Sequence, residues 1–135
     1  MIKVLLVEDN FFLQKALEEK LSNFSDIVIK DTAQNGEEAI AILEKNHVVD
    51  LILMDIEMPV MNGIKATEII KSKYPQIKIV MITVFDNDDN VFNAIKAGAD
   101  GYLLKETKAE KIHEAIKETL SGGAVMSPSI ALKTL

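Results

Sequence analysis

Two carboxylates, a third carboxylate, a hydroxyl and an ammonium stand at Glu8-Asp9, Asp55, Thr83 and Lys105. Each directly follows a short apolar run: Val4-Leu5-Leu6-Val7, Leu51-Ile52-Leu53-Met54, Ile79-Val80-Met81-Ile82 and Tyr102-Leu103-Leu104. One polar group after one run is ordinary, because solvated loops and helix caps put it there. Four runs that each deliver a compatible group point to a site, provided the runs are neighbouring parallel strands, whose carboxyl ends share a crevice. Carboxylates ~4 Å apart repel by about 4 kcal/mol per pair at an effective dielectric of 20, so these acids share a pocket comfortably only around a cation. Oxygen ligands without His or Cys favour Mg²⁺, which takes few carboxylates and keeps waters that a phosphate can replace. Lys105 and Thr83 then offer a charge and a hydroxyl donor to phosphoryl oxygens. A carboxylate flanked by Mg²⁺ and lysine is a competent nucleophile toward phosphorus and would yield an aspartyl phosphate.

The elements that must position these groups are legible as an alternation. Near-continuous apolar runs belong to parallel strands covered on both faces. A fifth run, Ile27 to Ala33, is mixed in character, reads as a less buried strand and ends without a comparable polar group. Helical spacing fills the intervals. Leu13, Leu17, Leu21 and Phe24 make one stripe, and Ala39, Ile40 and Leu43 follow Asn35-Gly36. Ala66, Ile69 and Ile70 follow Asn62-Gly63 and stop before Tyr74-Pro75. Val91, Phe92, Ile95 and Ala99 run to about Gly98, and Ile112, Ala115, Ile116 and Leu120 run to Gly122-Gly123. Five strand–helix units with right-handed crossovers predict an α/β fold, a doubly wound five-stranded parallel sheet with helices on both faces.

A chain of 135 residues and 14.9 kDa suits one domain with at most a short appendage. Apolar residues are 48 % and no apolar run approaches the ~20 residues of a membrane span. Absence of cysteine excludes disulfides and thiolate chemistry, and a cytoplasmic setting is expected. The 21 acidic against 15 basic residues give a net charge of −6, which disfavours this chain itself gripping DNA. Residues 122–135 differ from the rest. Ser127-Pro128 could open a helix, so this stretch is expected to be a linker, leaving residues 1–121 as the domain.

With these residues in place, the chain resembles the receiver domain of two-component response regulators. The resemblance rests on Glu8-Asp9, on Asp55 within Leu-Met-Asp-Ile-Glu-Met-Pro-Val-Met-Asn-Gly, on Thr83 and on Lys105, and runs from about residue 2 to residue 121. It implies the CheY-like (flavodoxin-like) fold with strand order 2-1-3-4-5. It implies Asp55 as the acceptor of a phosphoryl group from a sensor histidine kinase. Mg²⁺ would be held by Asp9, Asp55 and the backbone carbonyl of Glu57, with Glu8 acting mainly through water. Lys105 would pair with the phosphoryl group, Thr83 would follow it, and Tyr102 matches the aromatic switch position. Glu57 and Phe85, two residues beyond Asp55 and Thr83, would modulate dephosphorylation. Gly-Tyr-Leu-Leu-Lys-Glu and Gly-Gly-Ala-Val-Met-Ser-Pro resemble the NarL/LuxR-type subfamily. That implies transcription regulation through a C-terminal DNA-binding domain outside this chain, and a phosphorylation-dependent homodimer. The expected protein is a signalling switch with self-catalysed transfer and hydrolysis rather than a turnover enzyme, with no membrane partner. Two other readings are a stand-alone receiver acting as an interaction module and an aspartyl-phosphate phosphatase. The phosphatase would want Asp-x-Asp where this chain has Glu8-Asp9.

Weaker signals are read as structural. Asp86, Asp88 and Asn90 match the first ligands of a calcium loop, but Val91 and Ala97 stand where its Gly and Glu belong, so a helix cap is expected. His47 and His113 are solitary in sequence. Phe11, Phe12, Phe24 and Phe92 are expected in the core, and Met58 and Met61 are expected to pack the loop around Pro59.

Overall fold

The computed structural model describes residues 1–84, 87–123 and 125–126. Its elements alternate as β1 (Ile2–Val7), α1 (Phe11–Ser22), β2 (Ile27–Ala33), α2 (Gly36–Lys45), β3 (Leu51–Met54), α3 (Gly63–Lys73), β4 (Lys78–Thr83), α4 (Asp88–Ala97), β5 (Gly101–Leu104), α5 (Ala109–Leu120) and β6 (Val125–Met126). All pairings are parallel and the order is β2-β1-β3-β4-β5-β6. The first five strands stand in the expected order. The sixth was not expected: Val125 and Met126 lie where the sequence suggests a linker, yet they pair with Gly101 and Tyr102.

Strand alternation sorts the core into two layers. Leu5, Val7, Ile52, Met54, Ile79, Met81 and Tyr102 point to one side, where Ala39 and Leu43, Ala66 and Ile70, and Val91 and Ala94 cover them from α2, α3 and α4. Val4, Leu6, Leu51, Leu53, Val80, Ile82 and Leu103 point to the other, under Leu17 and Leu21 of α1 and Ile112, Ala115 and Ile116 of α5. Both faces are dry, which is why the runs read as apolar without alternation.

Four helices begin alike. Asn10, Asn35, Asn62 and Asn87 each accept a bond from the backbone N–H three residues on, at 2.9–3.1 Å. Each cap is worth about 1 kcal/mol over alanine. Asn87 thus confirms the cap expected in place of a calcium loop. At the far end α4 closes on Gly98 at φ +105°, whose N–H bonds to Ile95.

Two cross-links fasten helices to the sheet at the end away from the acids. Lys71 Nζ donates to Asp100 Oδ2 at 3.0 Å and to the carbonyls of Pro75 and Ile77, while Asp100 also accepts from the N–H of Ile79. His113 is not solitary in space. Its Nε2 lies 2.9 Å from both oxygens of Asp26, and its ring stacks on Phe24 at 4.1 Å. The hydrogen bond from His113 holds the Asp26 carboxyl below the usual carboxylate range.

Three aromatic expectations fail. Phe11, Phe12 and Phe92 are 59 %, 81 % and 64 % exposed. Helical phase decides this: Leu17 and Leu21 turn inward on α1, and Val91 and Ala94 on α4, so the phenylalanines face out. Phe24 does pack against the α1–α5 layer, and Met58 and Met61 against the other. Between Val4 and Leu5 the β1–β2 register slips, pairing them with Ile29 and Asp31 and leaving Lys30 as an extra residue. Among the described residues no helix is long and apolar enough to cross a membrane.

Candidate functional site

β1, β3, β4 and β5 are adjacent and parallel, so their carboxyl ends bring Glu8-Asp9, Asp55, Thr83 and Lys105 to one edge. The loops are tied as well as the strands. The N–H of Glu8 bonds to Ala33, that of Asp55 to Val7, and that of Lys105 to Thr83, at 2.8–3.0 Å. One carboxylate oxygen from each of Glu8, Asp9 and Asp55 lies within 4.8 Å of the others. Glu8 and Asp55 are buried, and Asp9 is exposed at the mouth.

Lys105 joins this group in a way the sequence did not suggest. Its ammonium pairs with Glu8 Oε1 and lies 3.3 Å from Asp55 Oδ2. Asp55 Oδ1 accepts a bond from the Ile56 N–H at 2.8 Å. Burial pushes the Asp55 carboxyl above its ordinary value, with Lys105 and the Ile56 N–H opposing. Loss of hydration and then the neighbouring Glu8 carboxyl raise Asp9 too. Both directions come first from the loss of hydration, which penalises the charged carboxylate.

The residues suit Mg²⁺. Three hard oxygen donors converge, and neither His nor Cys stands among them, which disfavours zinc. Thr83 ends β4 fully buried, in register with Leu104. Tyr102 is buried beneath the α2–α4 layer, paired along the sheet with Met81. Glu57 is exposed in the β3–α3 loop. That loop carries Val60 at φ 68°, bracketed by a Met61 N–H bond to the Pro59 carbonyl at 2.7 Å. This is the strained form of a three-residue turn, held in place beside the acids. Phe85 lies outside the described residues, as does Ser127-Pro128.

Two supporting residues escaped the sequence analysis. Gln14, buried on α1, donates to the Glu8 carbonyl at 3.3 Å. Lys20, one turn and a half further on, donates to the carbonyls of Lys105 and Thr107 at 3.1 and 3.2 Å. Their only sequence signal is a polar residue among the apolar positions of α1, which usually marks a solvated face.

Fold and acids together define a CheY-like α/β protein with an acidic crevice, joined by a lysine, at the carboxyl edge of its sheet. The chain belongs to the response regulator receiver domain family, whose model matches residues 4–117. The response regulator protein VraR of Staphylococcus aureus is 42 % identical over 134 residues, covering 98 % of this chain and 63 % of that protein. The chain thus spans about 63 % of the length of the curated relatives it matches. A LuxR-family two-component response regulator from Aurantimonas superposes with a TM-score of 0.90 at 25 % identity, covering 97 % of this chain and 93 % of that one. A LuxR-family DNA-binding response regulator from Staphylococcus aureus gives 0.83 at 27 %, covering 89 % and 99 %. The chain is therefore a receiver domain similar to those of LuxR-type regulators.

Proposed function

We propose that this receiver accepts a phosphoryl group onto Asp55 from the phosphohistidine of a sensor histidine kinase. The observation that carries the reading is the placement of Asp55. Its Oδ1 is committed to the Ile56 N–H, which leaves Oδ2, beside the Lys105 ammonium, to attack phosphorus. The oxygen–phosphorus bond forms as the phosphorus–nitrogen bond of the donor breaks, and the imidazole leaves with its electron pair. Lys105 stands within reach to pass its hydrogen bond from Oδ2 to a phosphoryl oxygen, and the Thr83 hydroxyl is the second donor along the edge. Glu8, Asp9, Asp55 and the carbonyl of Glu57 would hold Mg²⁺, which when bound neutralises the acids and the phosphoryl oxygens. The phosphoryl adds about −1.5 to −2 charges, so arrangements that bring Thr83 and Lys105 onto it are selected, with Tyr102 responding on the same strand as Lys105. Mass-spectrometric mapping after treatment with acetyl phosphate and Mg²⁺ should place one adduct, on the peptide holding Asp55. An adduct elsewhere overturns the assignment.

Glu57 and Phe85, two residues beyond Asp55 and Thr83, are proposed to set how long the phosphoryl survives. Residues 1–121 form the receiver in this reading, and 122–135 lead toward a DNA-binding effector domain. Transcription regulation and a cytoplasmic site of action follow from that. Phosphorylation is proposed to drive self-association through a helical face. β6 lies along the outer edge of β5, which favours the α1–α5 face over one built from α4, β5 and α5. Light scattering with and without beryllofluoride checks this, and an unchanged monomer at high concentration would count against a dimer.

Metal should be visible in stability. Burial raises both the Asp9 and Asp55 carboxyls, so ionising them costs stability, a cost fully present above their folded-state values and gone below 3.8. Asp9→Ala is therefore expected to melt higher than the parent without metal, and to gain less from millimolar Mg²⁺. A parent whose melting temperature ignores Mg²⁺ would contradict the pocket.

A further inference from the structure

We propose that Lys20 is a positioning residue for phosphoryl transfer, acting through Lys105. This rests on the assignment of Asp55 as acceptor and Lys105 as the phosphoryl group's cationic partner. The β5–α5 turn that carries Lys105 has few ties of its own: the Lys105 N–H bonds to Thr83 and the Thr107 N–H to Leu104. The Lys20 ammonium reaches across from α1, 85 residues earlier in the chain, and pairs with no carboxylate among the described residues. It donates to the carbonyls of Lys105 and Thr107 at 3.1 and 3.2 Å, so one cation spans the turn. Lys20 is half-buried, and it lines a cavity of about 110 Å³ together with Leu13, Ala16, Leu17 and Lys105. Room is therefore left for the Lys105 side chain to swing if its backbone is not held.

The same helix holds the other half of the pair. Gln14 bonds to the Glu8 carbonyl, and the Glu8 carboxylate pairs with Lys105. α1 thus grips the backbone of both residues of the Glu8–Lys105 ion pair, one near its start and one near its end. A lysine exposed on the opposite side of α1 would do none of this. Lys15, 54 % exposed and paired with Glu18, is such a residue. Lys105 must present its ammonium both to Asp55 Oδ2 and, at transfer, to a phosphoryl oxygen. Misplacement of about 1 Å is known to cost such positioned groups up to a hundredfold in rate.

The test is the rate constant for labelling by acetyl phosphate at saturating Mg²⁺ in full-length chain carrying Lys20→Met, Lys20→Arg or Lys15→Met. Lys20→Met is expected to slow labelling about 3- to 10-fold. Lys20→Arg keeps the donor and should restore most of the rate, while Lys15→Met should match the parent. The decisive arm is a double-mutant cycle. In a Lys105→Met background, Lys20→Met should slow labelling no further, because its effect runs through Lys105. A merely structural contribution of Lys20 would slow both backgrounds equally, and that result overturns the proposal. So does a Lys20→Met protein that labels at the parent's rate. Failure of the underlying assignment looks different: the parent would label no faster than a protein lacking Asp55, and both readings would fall together.

Discussion

Asp55→Asn is expected to lose essentially all labelling by acetyl phosphate or phosphoramidate in Mg²⁺, at least about a thousandfold in rate, because the nucleophile itself is gone. The substitution is close to isosteric. Its amide oxygen can still accept the Ile56 N–H, so the β3–α3 loop keeps its tie. Removing a carboxylate that burial holds above its ordinary value should leave the metal-free fold no less stable at neutral pH, and the sign of that change separates lost chemistry from lost structure. Thermal melts and adduct stoichiometry on one preparation supply both readings. Full labelling of the variant, or an adduct transferred to Glu8 at the parent's rate, would remove Asp55 from its assigned role.

Gly63→Ala should be the most damaging single-methyl change near the site. A Cβ built there would sit 1.9 Å from the Asp55 carbonyl oxygen and 2.9 Å from Met54 Cγ. Its N–H meanwhile bonds to the Ile56 carbonyl at 2.8 Å, so helix α3 is pressed directly against the strand end that carries Asp55. Inside an ordinary helix Gly→Ala gains about 1 kcal/mol. Here the clash is with backbone, which cannot turn aside as a side chain can, and overpacking of that kind costs about 3 kcal/mol or more. Urea titration of the parent and the variant measures the difference, and labelling should fall with it because Asp55 must move. An unchanged urea midpoint would mean that α3 and β3 do not approach so closely.

Much of this was legible in the sequence because the sheet is buried on both faces. Val4–Val7, Leu51–Met54 and Ile79–Ile82 had no polar face to confuse the pattern, and the acids, hydroxyl and lysine stood where the apolar residues stopped. The helices were harder for the opposite reason. Which residues of an amphipathic helix face inward depends on its rotation against the sheet, and Phe11, Phe12 and Phe92 lie off the buried stripe. β6 spans two residues, too few for any periodicity. The roles of Lys20 and Gln14 depend on carbonyls brought near by folding, which side-chain types along one helix do not encode. The sequence argument also placed a cation among three acids without seeing that the Lys105 ammonium already fills part of that place.

The slipped register at Lys30 has a consequence for the molecule in company. β2 is the outer strand of the sheet, and Ile27, Val28 and Ile29 would otherwise continue into an apolar edge open to a neighbouring chain. The extra residue puts Lys30 and Asp31 side by side, both exposed, midway along that edge. Local twist and two opposite charges interrupt the row of backbone donors and acceptors that a stacking strand would need. The domain is thereby kept from polymerising through this edge of its sheet, even when copies crowd together.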